Sequence, residues 1–150
     1  MLEKIDVKLL TETAVPPKRT HPTDAGLDIF SDQDIFIPHG KTSVVPTGVA
    51  MRVPEGMVGK IEDRSSMGKR GLRTGGGVVD SAFTGELSII LHNFSNRDDS
   101  TEKAGFGYQV KKGDKIAQML VYPIATPSVN IVKELWTSDR GSKGFGSSGR

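Results

Sequence analysis

The chain has 150 residues, 25% charged and 35% hydrophobic, which is one ordinary domain and neither a disordered nor a membrane-spanning composition. Its formal net charge of +2 is too small for a nucleic-acid coat. No apolar run reaches the ~20 residues of a transmembrane helix, and the lack of cysteine excludes disulfide frameworks and Cys-based zinc sites.

The opening MLEKIDVKLL alternates polar and apolar residues, with Ile5, Val7 and Leu9 on one side of a strand. It lacks the apolar block and small-residue cleavage site of a signal peptide, so the expected compartment is the cytosol. In AGLDIF, residues 25–30, Asp28 follows a glycine and taken singly is only a turn acid. Val49, Met51 and Val53 alternate between Gly48 and Pro54 and mark another strand.

The stretch GKIEDRSSMGKRGL, residues 59–72, reads as a strand end followed by a short helical turn over 65–70. Hydroxyls beside a guanidinium suit an anion, and Arg64 has the fork that clamps phosphate oxygens. The plainer reading is a capping Ser65 in a solvated charge run. In GGGVVDSAFTGE, residues 75–86, the glycines let a ligand approach the backbone. A two-valine strand then delivers Asp80, a carboxylate able to act as general base on water or simply to cap a turn. Phe83 is as readily core.

Leu87, Ile89 and Leu91 form one face of the next strand, while Ser88, Ile90 and His92 form the other. Ile90 makes both faces apolar, so this strand is expected to be central. Residues 94–107 read as a polar excursion. KKGDKIAQMLVYP, residues 111–123, is a turn and a two-sided apolar strand holding Ile116, Met119, Leu120 and Val121, with the polar Gln118 among them. Short strands broken by frequent turns predict an all-β sandwich, jelly roll or small barrel. Residues 1–136 are expected to form the domain and the glycine- and serine-rich 137–150 a flexible arm. His21, His39 and His92 read as structural or surface residues.

AGLD, RSS, GVVDSAFTGE, GDKIAQ and RGSKGFGSSG, in this order over residues 25–149, together strongly resemble the five motifs of the homotrimeric deoxyuridine triphosphatase (dUTPase) family. The resemblance implies a jelly-roll-like (β-clip) all-β subunit, a threefold trimer and active sites shared between subunits. It implies hydrolysis of dUTP to dUMP and pyrophosphate with Mg²⁺, through in-line attack on the α-phosphorus by a water that Asp80 activates. On the family pattern, Arg64, Ser65, Ser66 and Gln118 contact phosphates and Asp28 holds Mg²⁺ through water. Main-chain groups of Gly77, Val78 and Val79, with Ser88, read uracil. In the arm, Phe145 would stack on the base, with Gly146 beside it, while Arg140, Ser147 and Ser148 hold the far phosphates.

Three departures stand out. Phe83 replaces the usual Tyr against the deoxyribose, which keeps the ring and loses the hydroxyl. Ala82 replaces a common acid, and the 94–107 excursion is longer than usual. The related dCTP deaminases share the fold and an RSS motif, but their acid and Arg positions fall here on Ile90 and Lys69, and a buried Ile cannot shuttle a proton. Two further readings are a regulatory binding role alongside catalysis and a β-rich nucleotide-binding module without turnover. Neither a membrane nor a nucleic-acid partner is expected.

Overall fold

The computed structural model of the chain describes residues 4–95, 106–139 and 141–142. The β-rich pattern folds into ten strands and one short helix among these residues. In chain order the strands are β1 (Asp6–Leu9), β2 (Leu27–Phe30), β3 (Ile35–Pro38), β4 (Thr42–Arg52), β5 (Met57–Glu62), β6 (Leu72–Gly75), β7 (Val78–Val79), β8 (Glu86–Asn93), β9 (Gly107–Val110) and β10 (Lys115–Pro123). They form two four-stranded antiparallel sheets, ordered β1-β4-β8-β6 and β2-β10-β5-β7, and a two-stranded sheet β3-β9. No helix among the described residues is long and apolar enough to cross a membrane.

The alternation along β8 does what its sequence requires. Leu87, Ile89, Leu91 and Asn93 are buried, the intervening Ser88, Ile90 and His92 are half-buried, and β8 lies between β4 and β6 as expected of a central strand. Strand β10 is likewise interior, between β2 and β5. One core draws on all three sheets, including Ile29, Ile37, Val45, Ile61, Leu72, Leu91, Val110 and Met119. Burying each such side chain contributes about 1.5–3 kcal/mol.

Strand β1 forms where the alternation places it and pairs with β4, with all four of its residues exposed, Val7 at 41% and Leu9 at 46%. One expectation needs correction. Ser65 does not cap the helix. The helix α1 (Ser65–Lys69) has Arg64 at its N-cap in an extended conformation, and no side chain caps it. Ser65 is therefore the first helical residue, with its hydroxyl left for other partners.

A buried acid ties the periphery together. Asp32, 7% exposed, accepts hydrogen bonds from Thr11 Oγ1 and Thr13 Oγ1, both at 2.7 Å, and Lys112 Nζ lies 3.6 Å away. The two threonine hydroxyls hold its carboxyl below the ordinary aspartate range, against a weaker opposing effect of burial. A folded-state pKa lowered in this way gives stability that is complete above the ordinary value of about 3.9 and is lost as pH falls through the folded value. Asp32→Asn is therefore expected to lower stability at neutral pH and to flatten its fall on acidification below about pH 4. Denaturant titrations across that range would show it; an unchanged acid limb would refute the assignment.

Candidate active site

The sheet β2-β10-β5-β7 builds two clefts, one near each end. The first begins with register. Asp28 of β2 lies opposite Gln118 of β10, which lies opposite Glu62 of β5. Asp28 and Phe30 alternate onto one face of β2, and Gly26, just before the strand, continues that face. Lys115 is opposite Phe30, and the register slips between Lys115 and Ala117. That bulge puts Lys115 on the same face as Gln118; in a regular strand, residues three apart face opposite ways. A Cβ on Gly26 would overlap Gln118 Oε1 and push the glutamine amide from its present place.

Arg64 follows β5 and turns its guanidinium back over this face. Its Nε donates to Asp28 Oδ1 at 2.9 Å, and its Nη1 donates to the Lys115 carbonyl at 3.2 Å and to Ser66 Oγ at 3.3 Å. Lys115 Nζ stands 2.7 Å from Asp28 Oδ2, and Thr20 Oγ1 donates to the same oxygen at 3.0 Å. Burial is the largest single influence on Asp28 and opposes its ionisation. The hydrogen bonds of Lys115 and Thr20 and the charges of Arg64 and Lys115 together outweigh it, and the carboxyl is held below its usual range. Gln118 Nε2 donates to the Asp63 carbonyl at 2.8 Å. Asp28, Arg64, Ser65, Lys115 and Gln118 with Thr20 line a cleft of about 430 Å³. Ser66 faces a smaller neighbouring cleft beside Arg70 and Tyr108.

The second cleft, about 330 Å³, is lined by Gly77, Val78, Val79, Asp80, Phe83 and Ser88 together with Val44, Ile89 and Ile90. Among the described residues strand β7 pairs on one side with β5 and has no strand on its other side, so it presents a free row of main-chain donors and acceptors. Gly77 has φ +96°, and a Cβ there would meet the Ile61 carbonyl at 2.9 Å; Ile61 N–H donates to the Gly77 carbonyl at 2.8 Å. After β7 the chain turns, with Phe83 N–H donating to the Asp80 carbonyl at 3.0 Å. Among the described residues the Asp80 side chain is exposed and takes part in no hydrogen bond or ion pair. The Phe83 ring lies over Gly85, is 44% exposed and faces the cleft.

The dUTPase family model matches residues 12–149. The chain belongs to the dUTPase family. The deoxyuridine 5'-triphosphate nucleotidohydrolase of Paramecium bursaria Chlorella virus 1 is 42% identical over 144 residues, 95% of this chain and 96% of that protein. The solved dUTPase of Staphylococcus bacteriophage 80alpha with dUpNHpp matches with TM-score 0.87 and 36% identity, covering 98% and 99% of the two chains. A variant of the dUTPase from phage phi11 of S. aureus, described with a structural Mg(II) ion, matches with TM-score 0.80 and 31% identity over 90% and 100%. This dUTPase chain is thus a nucleotidohydrolase acting on dUTP, with the all-β fold its motifs imply.

Within the dUTPase chain, Asp28, Arg64, Ser65 and Gln118 gather in one cleft and Gly77, Val78, Val79, Asp80, Phe83 and Ser88 in the other, and among the described residues none lines both. Arg140, Phe145, Gly146, Ser147 and Ser148 lie outside the described residues. The deaminase reading finds no support: Ile90 is half-buried and Lys69 is exposed at the end of α1. The acid of β8, Glu86, accepts from the Gly48 N–H at 2.9 Å. His39 and His92 bond to the Ser95 carbonyl and Thr42 hydroxyl respectively, both at 2.6 Å. Sequence reasoning missed Lys115 and Thr20. The lysine stands inside GDKIAQ, but the bulge that aims it leaves no sequence signature, and nothing marks Thr20.

Gly26→Ala is expected to displace the Gln118 amide and lower kcat/KM for dUTP about 100-fold, the scale of a 1 Å misplacement, with the thermal midpoint nearly kept. Wild-type kinetics in a folded variant would refute the close-approach argument.

Proposed function

We propose that the 430 Å³ cleft holds the polyphosphate of dUTP, that the 330 Å³ cleft holds its deoxyuridine, and that Asp80 is the general base. The observation that carries this reading is the unpaired Asp80 carboxylate at the rim of an apolar cleft walled by the free edge of β7. A carboxylate committed to a salt bridge, as Asp28 and Asp63 are, is a poor acceptor for a water proton. Asp80 is free to take it while the oxygen attacks the α-phosphorus in line and pyrophosphate departs.

The main-chain groups of Gly77, Val78 and Val79 with Ser88 read the uracil edge. Fixed backbone donors and acceptors reject cytosine because its exchanged groups leave them unpaired. Phe83 packs the deoxyribose and leaves no room for a 2′-hydroxyl. Arg64, Ser65 and Gln118 orient the phosphates, with Ser66 bracing the Arg64 guanidinium. The arm supplies Phe145 and Gly146 at the base and Arg140, Ser147 and Ser148 at the far phosphates, closing the site against bulk water.

Mg²⁺ fits this arrangement in an outer-shell role. Among the described residues no three acids or histidines cluster to cage a metal, and Asp28 Oδ1 accepts only the Arg64 Nε–H bond. Asp28 would therefore hold metal-bound water, while phosphates supply the direct ligands, as suits a cation that dehydrates reluctantly. Bound there, the ion would neutralise phosphate charge and orient the tail.

A single nucleotide needs both clefts, and they share no residue. We infer a cytosolic homotrimer in which one subunit supplies the base half and its neighbour the phosphate half. The segment after β10 supports this. Val129, Ile131, Leu135 and Trp136 are apolar and 83–94% exposed, a density of uncovered apolar surface that marks an interface.

Asp80→Asn should leave binding of a non-hydrolysable dUTP analogue within a few-fold of wild type and remove most pyrophosphate release; equal losses of both would contradict the base role. Shared sites make a second expectation. Asp80→Asn and Arg64→Ala chains, each inactive alone, should regain activity when co-expressed, with roughly a quarter of sites intact on random assembly into a ring. No recovery in verified mixed trimers would place both halves in one subunit.

A further inference from the structure

We propose that Lys115 is the residue that makes the site prefer a nucleoside triphosphate over a monophosphate. Its ammonium, held by Asp28 and Thr20, is a fixed cation on the wall of the polyphosphate cleft. The inference rests on the reading of that cleft given above.

Three observations lead there. The first is aim: the bulge between Lys115 and Ala117 turns this side chain onto the Gln118 face. The second is restraint. Nζ is 2.7 Å from Asp28 Oδ2 and donates to Thr20 Oγ1 at 2.8 Å, and it lies 6.0 Å from the centre of the Phe30 ring. An ammonium has three N–H groups; two are engaged, and among the described residues the third has no partner. A lysine at 32% side-chain exposure that is tethered twice has already lost most of the rotamer freedom that would oppose binding.

The third is charge balance. The cleft wall carries two carboxylates, Asp24 and Asp28, and two cations, Arg64 and Lys115. Asp24 Oδ2 accepts from the His21 N–H at 2.8 Å, while Asp28 is paired with both cations. Without the Lys115 charge the wall is net negative and repels each added phosphate. The penalty therefore grows along the tail, and a monophosphate hardly registers it. Arg64 alone cannot restore the balance, because its single positive charge then stands against two carboxylates.

Calorimetric titration of the full-length protein in one Mg²⁺ buffer, with the α,β-imido analogue of dUTP and with dUMP, tests this. Lys115→Met should weaken the analogue about 10- to 100-fold, the loss expected for one charge-assisted contact, and leave dUMP nearly unchanged. Lys115→Arg should keep the preference. Should Lys115→Met fail to fold, Thr20→Val, which removes one tether, should show the same selective loss at a few-fold. Equal losses for both ligands, or none, in a folded variant overturn the inference; so does a selective loss that vanishes when the titration is repeated with EDTA in place of Mg²⁺, because a lysine that merely braces Asp28 would act on the tail only through the ion. Arg64→Ala separates the two levels. If it too leaves the analogue's affinity unchanged, the cleft is not the polyphosphate half and both readings fall. If it weakens the analogue and Lys115→Met does not, only the role of Lys115 falls.

Discussion

The pairing of β10 on both of its edges is the constraint on which the rest of the structure depends. Ile116, Ala117 and Met119 are buried, so the strand cannot slide by one residue without turning its apolar set outward. That hydrophobic lock fixes Gln118 against Asp28 on one side and Glu62 on the other. Arg64 then leaves the end of β5 within reach of Asp28. Polar geometry in the proposed polyphosphate half is thus held by apolar burial on the opposite face of the same strand. The one irregularity, the bulge at Lys115, adds a cation to that face without disturbing the register beyond it.

What is legible in the sequence follows from this division. Periodicity exposes the strands whose two faces differ, and β8 and β10 are readable as interior because both faces are apolar. Strand β1 shows the limit of that signal: alternation in Val7 and Leu9 marks a strand, but it cannot tell whether anything covers either face. Gly26 and Asp28 are visible as a motif, yet the cause of the glycine, the approach of Gln118 Oε1, lies 92 positions away in the chain. Lys115 and Thr20 are not legible, since a bulge and a loop carry no pattern. Ser65 looks like a cap, and the backbone instead gives that position to Arg64.

The carboxylates of the site are sorted by their partners rather than by their type. Asp28 is held by Arg64 and Lys115, and Asp63 by Arg73 and Thr74. In both, burial acts against the charged form and the partners more than offset it. Such groups are fixed in place and charge, which suits holding a ligand and not moving a proton. Asp80 stands apart at the exposed start of a turn, with no partner among the described residues. The same residue type can therefore serve as an anchor in one cleft and as the proposed base in the other, and environment alone separates the roles.

That separation bears on why a shared site suits this chemistry. Two half-sites that met only when a neighbour docks, as proposed, could each be built without the other. The base half can rest on a free strand edge and an apolar wall, and the polyphosphate half on a charge-balanced sheet face. In the proposed trimer, the uncovered apolar residues beyond β10 would be the surface that a neighbour covers. If covering Val129, Ile131, Leu135 and Trp136 brings the proposed halves together, assembly and catalysis would share one hydrophobic cause.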